Sequence, residues 1–385
     1  MIGTATFRTP LIIYGDGVSR KIGEYSSGVG KRALIVTDAC LDKTGLLDGL
    51  KESLRAMKIT MDVYGEVTTE PVTRYVDEGL RVFKDGQCDF IISVGGGSCI
   101  DTAKGISTLA TNQGKLVDFE GMNKIRKPGI PHVAVPTTAG TGSEVSPTTI
   151  ITDPDRNMKM VLMSPHLVTH LALIDPLLTV QMPQSVTASS GLDALTHAIE
   201  GYISVKAHPI TDALALHAIR LISQNICQAW TNGTNIEARA NMMIGALEAG
   251  MAFCNSSVAL VHGMARPLGV YFHIPHGMAN AMLLPVVMEF TLPSNPAKYV
   301  DIANAMGEKI EGLSVEDAAY QSVKAAKGLV EFLKIPNLRR LGISPDDFDK
   351  VAGQMSKDAL TGGSAGFNPR QAVPEEVLEL YRKAY

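Results

Sequence analysis

The constraint that most limits this chain is a change of rhythm partway along it. Six short runs, 11–15 (LIIYG), 32–38 (RALIVTD), 59–65 (ITMDVYG), 89–97 (DFIISVGGG), 132–138 (HVAVPTT) and 171–176 (LALIDP), read as strands. Most are continuously apolar and end in Gly, Asp or Thr, the pattern of strands buried on both faces of a parallel sheet. Helical patterns such as 45–58 and 72–87, with apolar residues three and four apart, lie between them. This alternation predicts a doubly wound α/β domain. One segment departs from it: 148–163 carries two alternating runs around a DPDRN turn and predicts an antiparallel hairpin.

Beyond about residue 183 only long helical patterns follow. We expect a dinucleotide-binding α/β domain over 1–183, with a Rossmann-like parallel sheet, and an all-α domain over 184–385. A chain of 385 residues is long enough for two such cores, with room for a ligand cleft. The net charge of −4 and the 19% charged residues show no basic footprint, which argues against a nucleic-acid partner. No apolar run is long enough to span a bilayer, and the N-terminus lacks the charged and apolar regions of a leader, so a cytoplasmic location without membrane partners is expected. Five widely spaced cysteines without a CxxC pair read as reduced, mostly buried thiols.

Two loops follow predicted strands. VGGGSCIDTAK (94–104) places three glycines and a serine where a strand turns into a helix. Glycine allows close backbone approach, and the free N–H groups of a first helical turn suit a pyrophosphate. The spelling is not GxGxxG, and a plain strand-to-helix turn is the alternative. PTTAGTGSE (136–144) follows the next strand, and two such loops at the carboxyl ends of parallel strands mark the usual ligand edge of an open α/β sheet. Asp38 ends an earlier strand, where an acid accepts hydrogen bonds from ribose hydroxyls and repels a 2′-phosphate; a helix-capping aspartate is the plainer reading.

In the second half, GLDALTHAIE (191–200) puts Asp193 and His197 four apart on one helical face. His262 and His276 follow in HGMARPLGVYFHIPHG (262–277) among apolar and glycine-rich neighbours. Burying several imidazoles is costly unless they are coordinated or hydrogen-bonded. One carboxylate and three imidazoles form a donor set for Fe²⁺ or Zn²⁺, too nitrogen-rich for Mg²⁺ or Ca²⁺.

In this order and spacing, VGGGSCIDTAK, VPTTAGTGSEVSP, GLDALTHAIEGYIS and HGMARPLGVYFHIPHGMANAMLLP resemble the iron-containing (group III, metal-dependent) alcohol dehydrogenases, a family that includes lactaldehyde reductases and 1,3-propanediol dehydrogenases. The resemblance implies a dehydroquinate synthase-like architecture with a metal in the cleft between the domains. It makes Asp193, His197, His262 and His276 the metal ligands. Gly95, Gly96, Gly97, Ser98 and Asp101 fall on the pyrophosphate loop, Thr137, Thr138 and Thr141 on a second cofactor loop, Lys159 on a ribose contact, and Asp38 on the acid associated with NAD preference.

Many members carry a proton-relay histidine four residues after the third ligand, where this chain has Arg266; conversely, His273 stands where histidine is often absent. Arginine stays protonated and cannot act as a neutral base, so His273 or the cofactor ribose hydroxyls would begin the relay. Arg266, beside a divalent metal, calls for an anion: a protein carboxylate, or the acidic group of a substrate.

The expected function is NAD(H)-dependent, metal-dependent interconversion of a short-chain primary alcohol or diol and its aldehyde. The small-molecule substrate would meet a homodimer or larger homo-oligomer. Alternatives are reduction of an acidic (carboxylate, sulfonate or phosphonate) aldehyde, or a glycerol-dehydrogenase-like zinc enzyme. A dehydroquinate-synthase-like lyase would need a basic cluster for a phosphorylated substrate, which the metal motifs lack. A non-enzymatic nucleotide- or metal-binding scaffold is the remaining contrast.

Overall fold

The computed structural model describes residues 4–156 and 158–385; Asn157, the last residue of the DPDRN turn, and the first three residues lie outside it. The described chain divides into two compact units.

The α/β unit comprises Thr9–Thr138 and Gly142–Gln181. Its strands are β1 (Leu11–Tyr14), β2 (Arg32–Thr37), β3 (Thr60–Tyr64), β4 (Phe90–Gly95), β5 (Gly121–Met122), β6 (His132–Pro136), β7 (Thr148–Asp153), β8 (Met158–Met163) and β9 (Leu171–Ile174). Its helices are α1 (Ile22–Ser26), α2 (Ala39–Lys43), α3 (Asp48–Ala56), α4 (Thr73–Asp85) and α5 (Gly97–Thr111). Six strands form a parallel sheet in the order β1-β9-β6-β4-β2-β3.

The apolar runs of β2 and β4 follow from burial on both faces. Leu34, Val36 and Ile91 face a core shared with Val76 and Phe83 of α4 and Ile106 of α5. Ala33, Ile35, Phe90 and Ile92, the alternate residues, face a second core with Leu50 and Leu54 of α3. β7 and β8 pair antiparallel, from Thr148↔Met163 to Asp153↔Met158, as the alternation predicts. The two-residue β5 joins β8 in parallel and has no sequence signal of its own.

Chain order reverses around β2, since β3 lies outside it and β4 on its other side. Ligands of open α/β sheets bind at the carboxyl ends of strands flanking such a reversal.

The helical unit comprises Met182–Tyr385 together with Ala139–Thr141 and, of the described N-terminal residues, 4–8. A single cut near 183 does not separate out these two short pieces. Its helices are α6 (Gln184–Ile203), α7 (Pro209–Thr231), α8 (Ile236–Asn255), α9 (Leu260–Phe272), α10 (His276–Thr291), α11 (Pro296–Met306), α12 (Val315–Phe332), α13 (Pro345–Thr361) and α14 (Pro374–Ala384). α6 is buried nearly all round from Thr187 to Ile203. It is therefore a central helix, and polar residues on it need partners.

Among the described residues no single helix is long and apolar enough to cross a membrane; the bent pair α8 and α9 passes by composition, with many side chains buried in this unit. None of the five cysteines is in a disulfide, and they are less uniformly buried than expected, since Cys40 is exposed and Cys227 and Cys254 only half-buried.

Candidate metal centre and cofactor edge

Asp193, His197, His262 and His276 come together in the helical unit, each offering one ligand atom, and these atoms all lie within 4.8 Å of one another. α6 supplies Asp193 and His197 one turn apart, α9 supplies His262 in its first turn, and His276 opens α10. Asp193 Oδ1 stands 3.9 Å from both His197 Nε2 and His276 Nε2. Tetrahedral bonds of about 2.0–2.2 Å set ligand atoms about 3.3–3.6 Å apart, so the two 3.9 Å separations need to close by only a few tenths of an ångström to share an ion.

The imidazoles are oriented from behind. Gly140 O accepts from His197 Nδ1 at 3.2 Å, which turns Nε2 toward the cluster. Gly140 is glycine of necessity, because a Cβ there would lie 2.6 Å from Ser190 Cβ. His262 Nδ1 donates to Glu200 Oε2 at 2.6 Å, so its Nε2 carries the lone pair. Burial holds His262 well below the usual histidine range, assisted by His197 and the Arg266 charge, and its ring is neutral. Burial alone would raise Asp193, but the three histidines and Asn280 hold it below its ordinary value. An ionised carboxylate beside a neutral imidazole is the protonation state a divalent cation needs.

Sequence reasoning missed two residues of this centre. Glu200 is buried and also accepts the N–H groups of Ala259 and Val261 at 2.8 and 2.5 Å, capping the start of α9. Its signal was available: it lies seven residues after Asp193 and three after His197, on the same face of α6. Asn280, fully buried four residues after His276, donates to Asp193 Oδ1 at 2.6 Å, with Nδ2 also 3.1 Å from His262 Nε2 and His276 Nε2. An amide nitrogen has two protons for these three acceptors. The surplus of lone pairs is a second mark of a cation site.

The residues singled out in HGMARPLGVYFHIPHG take different places. Pro267 sits inside α9, so the helix continues through Arg266 despite the bias against it. Arg266 Nη1 donates to Gly362 O at 3.0 Å. Gly362 is the C-cap of α13, whose unpaired carbonyls favour a cation. Among the described residues no carboxylate of this chain lies within ion-pair distance of Arg266; it meets the end of α13 instead, with Glu200 contributing at longer range. His273 is exposed at the C-cap of α9, in the left-handed region at φ 55°.

In the α/β unit, the register pairs Thr37 with Val94 and Gly95 with Pro136, which lines up Asp38, the glycine turn and the Thr137–Thr138 loop along one edge of the sheet. Gly95 has φ 154°, and a Cβ there would meet Cys99 Sγ at 2.5 Å. Gly96 caps α5 without a side-chain hydrogen bond, and Gly97 and Ser98 form its first turn, with no acidic residue there. Thr137 N donates to Gly95 O at 3.0 Å, tying the two loops together. Thr141 belongs to the helical unit.

Three of the expected cofactor residues are engaged within the protein. Asp38 caps α2, its Oδ1 accepting from Cys40 N and Leu41 N at 2.8 Å each; the capping reading holds, and Oδ2 takes neither bond. Lys159 pairs with Glu70 at 2.5 Å. Asp101 is buried and accepts from Ile150 N at 2.9 Å; burial raises its carboxyl to about 6, with Lys104, Ile150 and Ser143 opposing. The buried Lys104 donates to Ser146 O and Thr148 O at 2.7 and 2.8 Å, so α5 and β7 are joined by charged groups that no sequence motif announced.

Comparison with known proteins agrees with both units. Residues 9–176 match the family described as iron-containing alcohol dehydrogenase, and 187–385 match the Fe-containing alcohol dehydrogenase family, C-terminal. The chain is 43% identical over 376 residues to 1,3-propanediol dehydrogenase of Klebsiella pneumoniae, covering 97% of this chain and 96% of that one. It is 39% identical to lactaldehyde reductase of Escherichia coli (strain K12), covering 92% of each. NAD-dependent methanol dehydrogenase of Bacillus methanolicus is 35% identical over 99% of this chain and 100% of that one. The crystal structure of a 1,3-propanediol oxidoreductase superposes with a TM-score of 0.97 at 40% identity, covering both chains in full. The chain is a member of the iron-containing alcohol dehydrogenase family.

Proposed function

We propose that this protein interconverts a short-chain primary alcohol or diol and its aldehyde, passing hydride to and from NAD(H), with one Fe²⁺ held by Asp193, His197, His262 and His276. The observation that carries the reading is the buried N₃O cluster with its imidazoles pre-turned by Gly140 and Glu200. The relatives named for 1,3-propanediol, lactaldehyde and methanol support the substrate class. Zn²⁺ suits the same donors and is the alternative ion.

When bound, the ion supplies Lewis acidity that lowers the pKa of an alcohol hydroxyl. The chain's part is to keep Asp193 ionised and His262 neutral and to exclude water from the buried ligand faces. In the α/β unit, the open first turn of α5 and Gly95–Gly97 would take the pyrophosphate, and Thr137 and Thr138 the rest of the cofactor. The Oδ2 atom of Asp38 would meet a ribose hydroxyl, which favours NAD over NADP. Lys159 reaches a ribose only by leaving Glu70. The exposed imidazole of His273 would pass the proton to solvent. Self-association into a homodimer or larger is supported by the edge strand β1, where Leu11 and Tyr14 are 64% and 68% exposed.

An anaerobic panel of short alcohols, diols and aldehydes with Fe²⁺ or Zn²⁺, followed at the NADH absorbance band, tests the reading. Turnover is expected with neutral primary alcohols; none with any substrate and either ion would overturn it.

A further inference from the structure

We propose that Asn280 is a positioning residue of the metal centre, its amide setting how tightly the four ligands hold their cation. This rests on the reading of Asp193, His197, His262 and His276 as ligands. Asn280 lies one turn into α10, four residues after His276, so the two side chains share a face. α10 comes close enough for Asn280 to reach Asp193 because position 277 is glycine: a Cβ there would lie 2.7 Å from Ser189 O and 3.3 Å from Asp193 Cβ.

Asn280 Nδ2 then lies within 3.1 Å of one atom from each of Asp193, His262 and His276, while Oδ1 is buried without a hydrogen-bond partner. A buried amide with its acceptor orphaned and its donors oversubscribed is costly as a packing device alone. The arrangement is economical as a positioning device. The 2.6 Å bond fixes the Asp193 carboxylate and can persist beside a cation, because a carboxylate oxygen has a second lone pair, whereas the two imidazole contacts would give way to the cation. Groups that orient metal ligands from outside typically change affinity ten- to a hundredfold when removed.

The test begins with the Zn²⁺-loaded protein and compares Asn280→Ala, Asn280→Ser and Asn280→Asp with the parent. Zn²⁺ affinity and release to a chelator are measured, and the melting temperature is taken with and without Zn²⁺. Asn280→Ala should bind Zn²⁺ about ten- to a hundredfold more weakly and show a smaller stabilisation by Zn²⁺. Asn280→Ser, which restores a donor, should recover part of the affinity. Asn280→Asp puts two carboxylates face to face in a buried site, so its stabilisation by Zn²⁺ should exceed the parent's.

A packing role would lower both melting temperatures together in every variant and leave affinity unchanged, and that result overturns the proposal. His276→Ala is the control for the ligand reading. If it binds Zn²⁺ like the parent, the ligand assignment fails; if it loses Zn²⁺ while the Asn280 variants do not, only the role of Asn280 fails.

Discussion

Replacing Glu200 by glutamine isolates the orienting of His262 from the rest of the centre. The carboxylate accepts three hydrogen bonds: Oε2 from Ala259 N at 2.8 Å and His262 Nδ1 at 2.6 Å, and Oε1 from Val261 N. A glutamine that keeps its oxygen at the Oε2 position retains two of these and turns an N–H toward the amide of Val261. The Val261 N–H and the glutamine N–H facing it both lack an acceptor there, and each buried donor left unsatisfied costs about 1–3 kcal/mol. Removing the buried charge offsets part of that, because burial drives the Glu200 carboxyl up to about 7.

The loss in metal binding has a different origin. A neutral amide accepts from Nδ1–H more weakly than a carboxylate, so His262 becomes a poorer ligand. We expect Zn²⁺ affinity to fall about ten- to a hundredfold, equivalent to about 1.4–2.8 kcal/mol, with a melting-temperature drop of only a few degrees. Chelator competition and thermal melts, run on the same preparations, separate the two effects. Undiminished Zn²⁺ affinity with lowered stability would refute the orienting role and leave Glu200 a helix cap.

Other substitutions probe the remaining assignments. Burial raises Glu144 from 4.5 to about 7, so between those values the folded protein holds a proton that the unfolded chain has released; stability falls as pH rises through that window, by about 3 kcal/mol in total. Glu144→Gln should therefore flatten the pH dependence of melting and raise the melting temperature at pH 8 but not at pH 4; an unchanged pH profile would show that Glu144 ionises freely. Asp38→Gly should narrow the preference for NAD over NADP roughly ten- to a hundredfold while costing only a few tenths of a kcal/mol in capping, and steady-state kinetics with both cofactors measures it. Arg266→Ala should destabilise the protein by about 1 kcal/mol through the lost cap on α13 and change kcat/KM equally for acidic and neutral aldehydes; a selective loss on acidic aldehydes would assign Arg266 to the substrate instead.

The architecture was legible because two-sided burial demands apolar runs, and β2, β4, β6 and β9 obey it closely. The hairpin was legible for the opposite reason, its alternating burial. β5 was not, since two residues carry no period. The assignment of Ala139–Thr141 to the helical unit was also invisible, because it depends on Gly140 meeting Ser190 across about fifty residues of chain. Histidines among apolar neighbours are conspicuous, which made the Asp193, His197, His262 and His276 cluster readable. Glu200 and Asn280 were passed over, because Glu and Asn within a helical pattern look like solvent-facing residues until α6 and most of α10 prove buried. The bond from Arg266 to the end of α13 was not readable from its spacing, because it joins residues 96 positions apart.

The central claim is that Asp193, His197, His262 and His276 hold an ion on which turnover depends, and a graded reconstitution tests it most directly. Chelator-stripped protein is titrated anaerobically with Fe²⁺, and bound metal and the rate of NADH formation from a short primary alcohol are measured on the same samples. The account predicts rate rising in proportion to occupancy up to one ion per chain, with His276→Ala showing neither. Full turnover in the stripped protein, or tight stoichiometric metal in the variant, would contradict it.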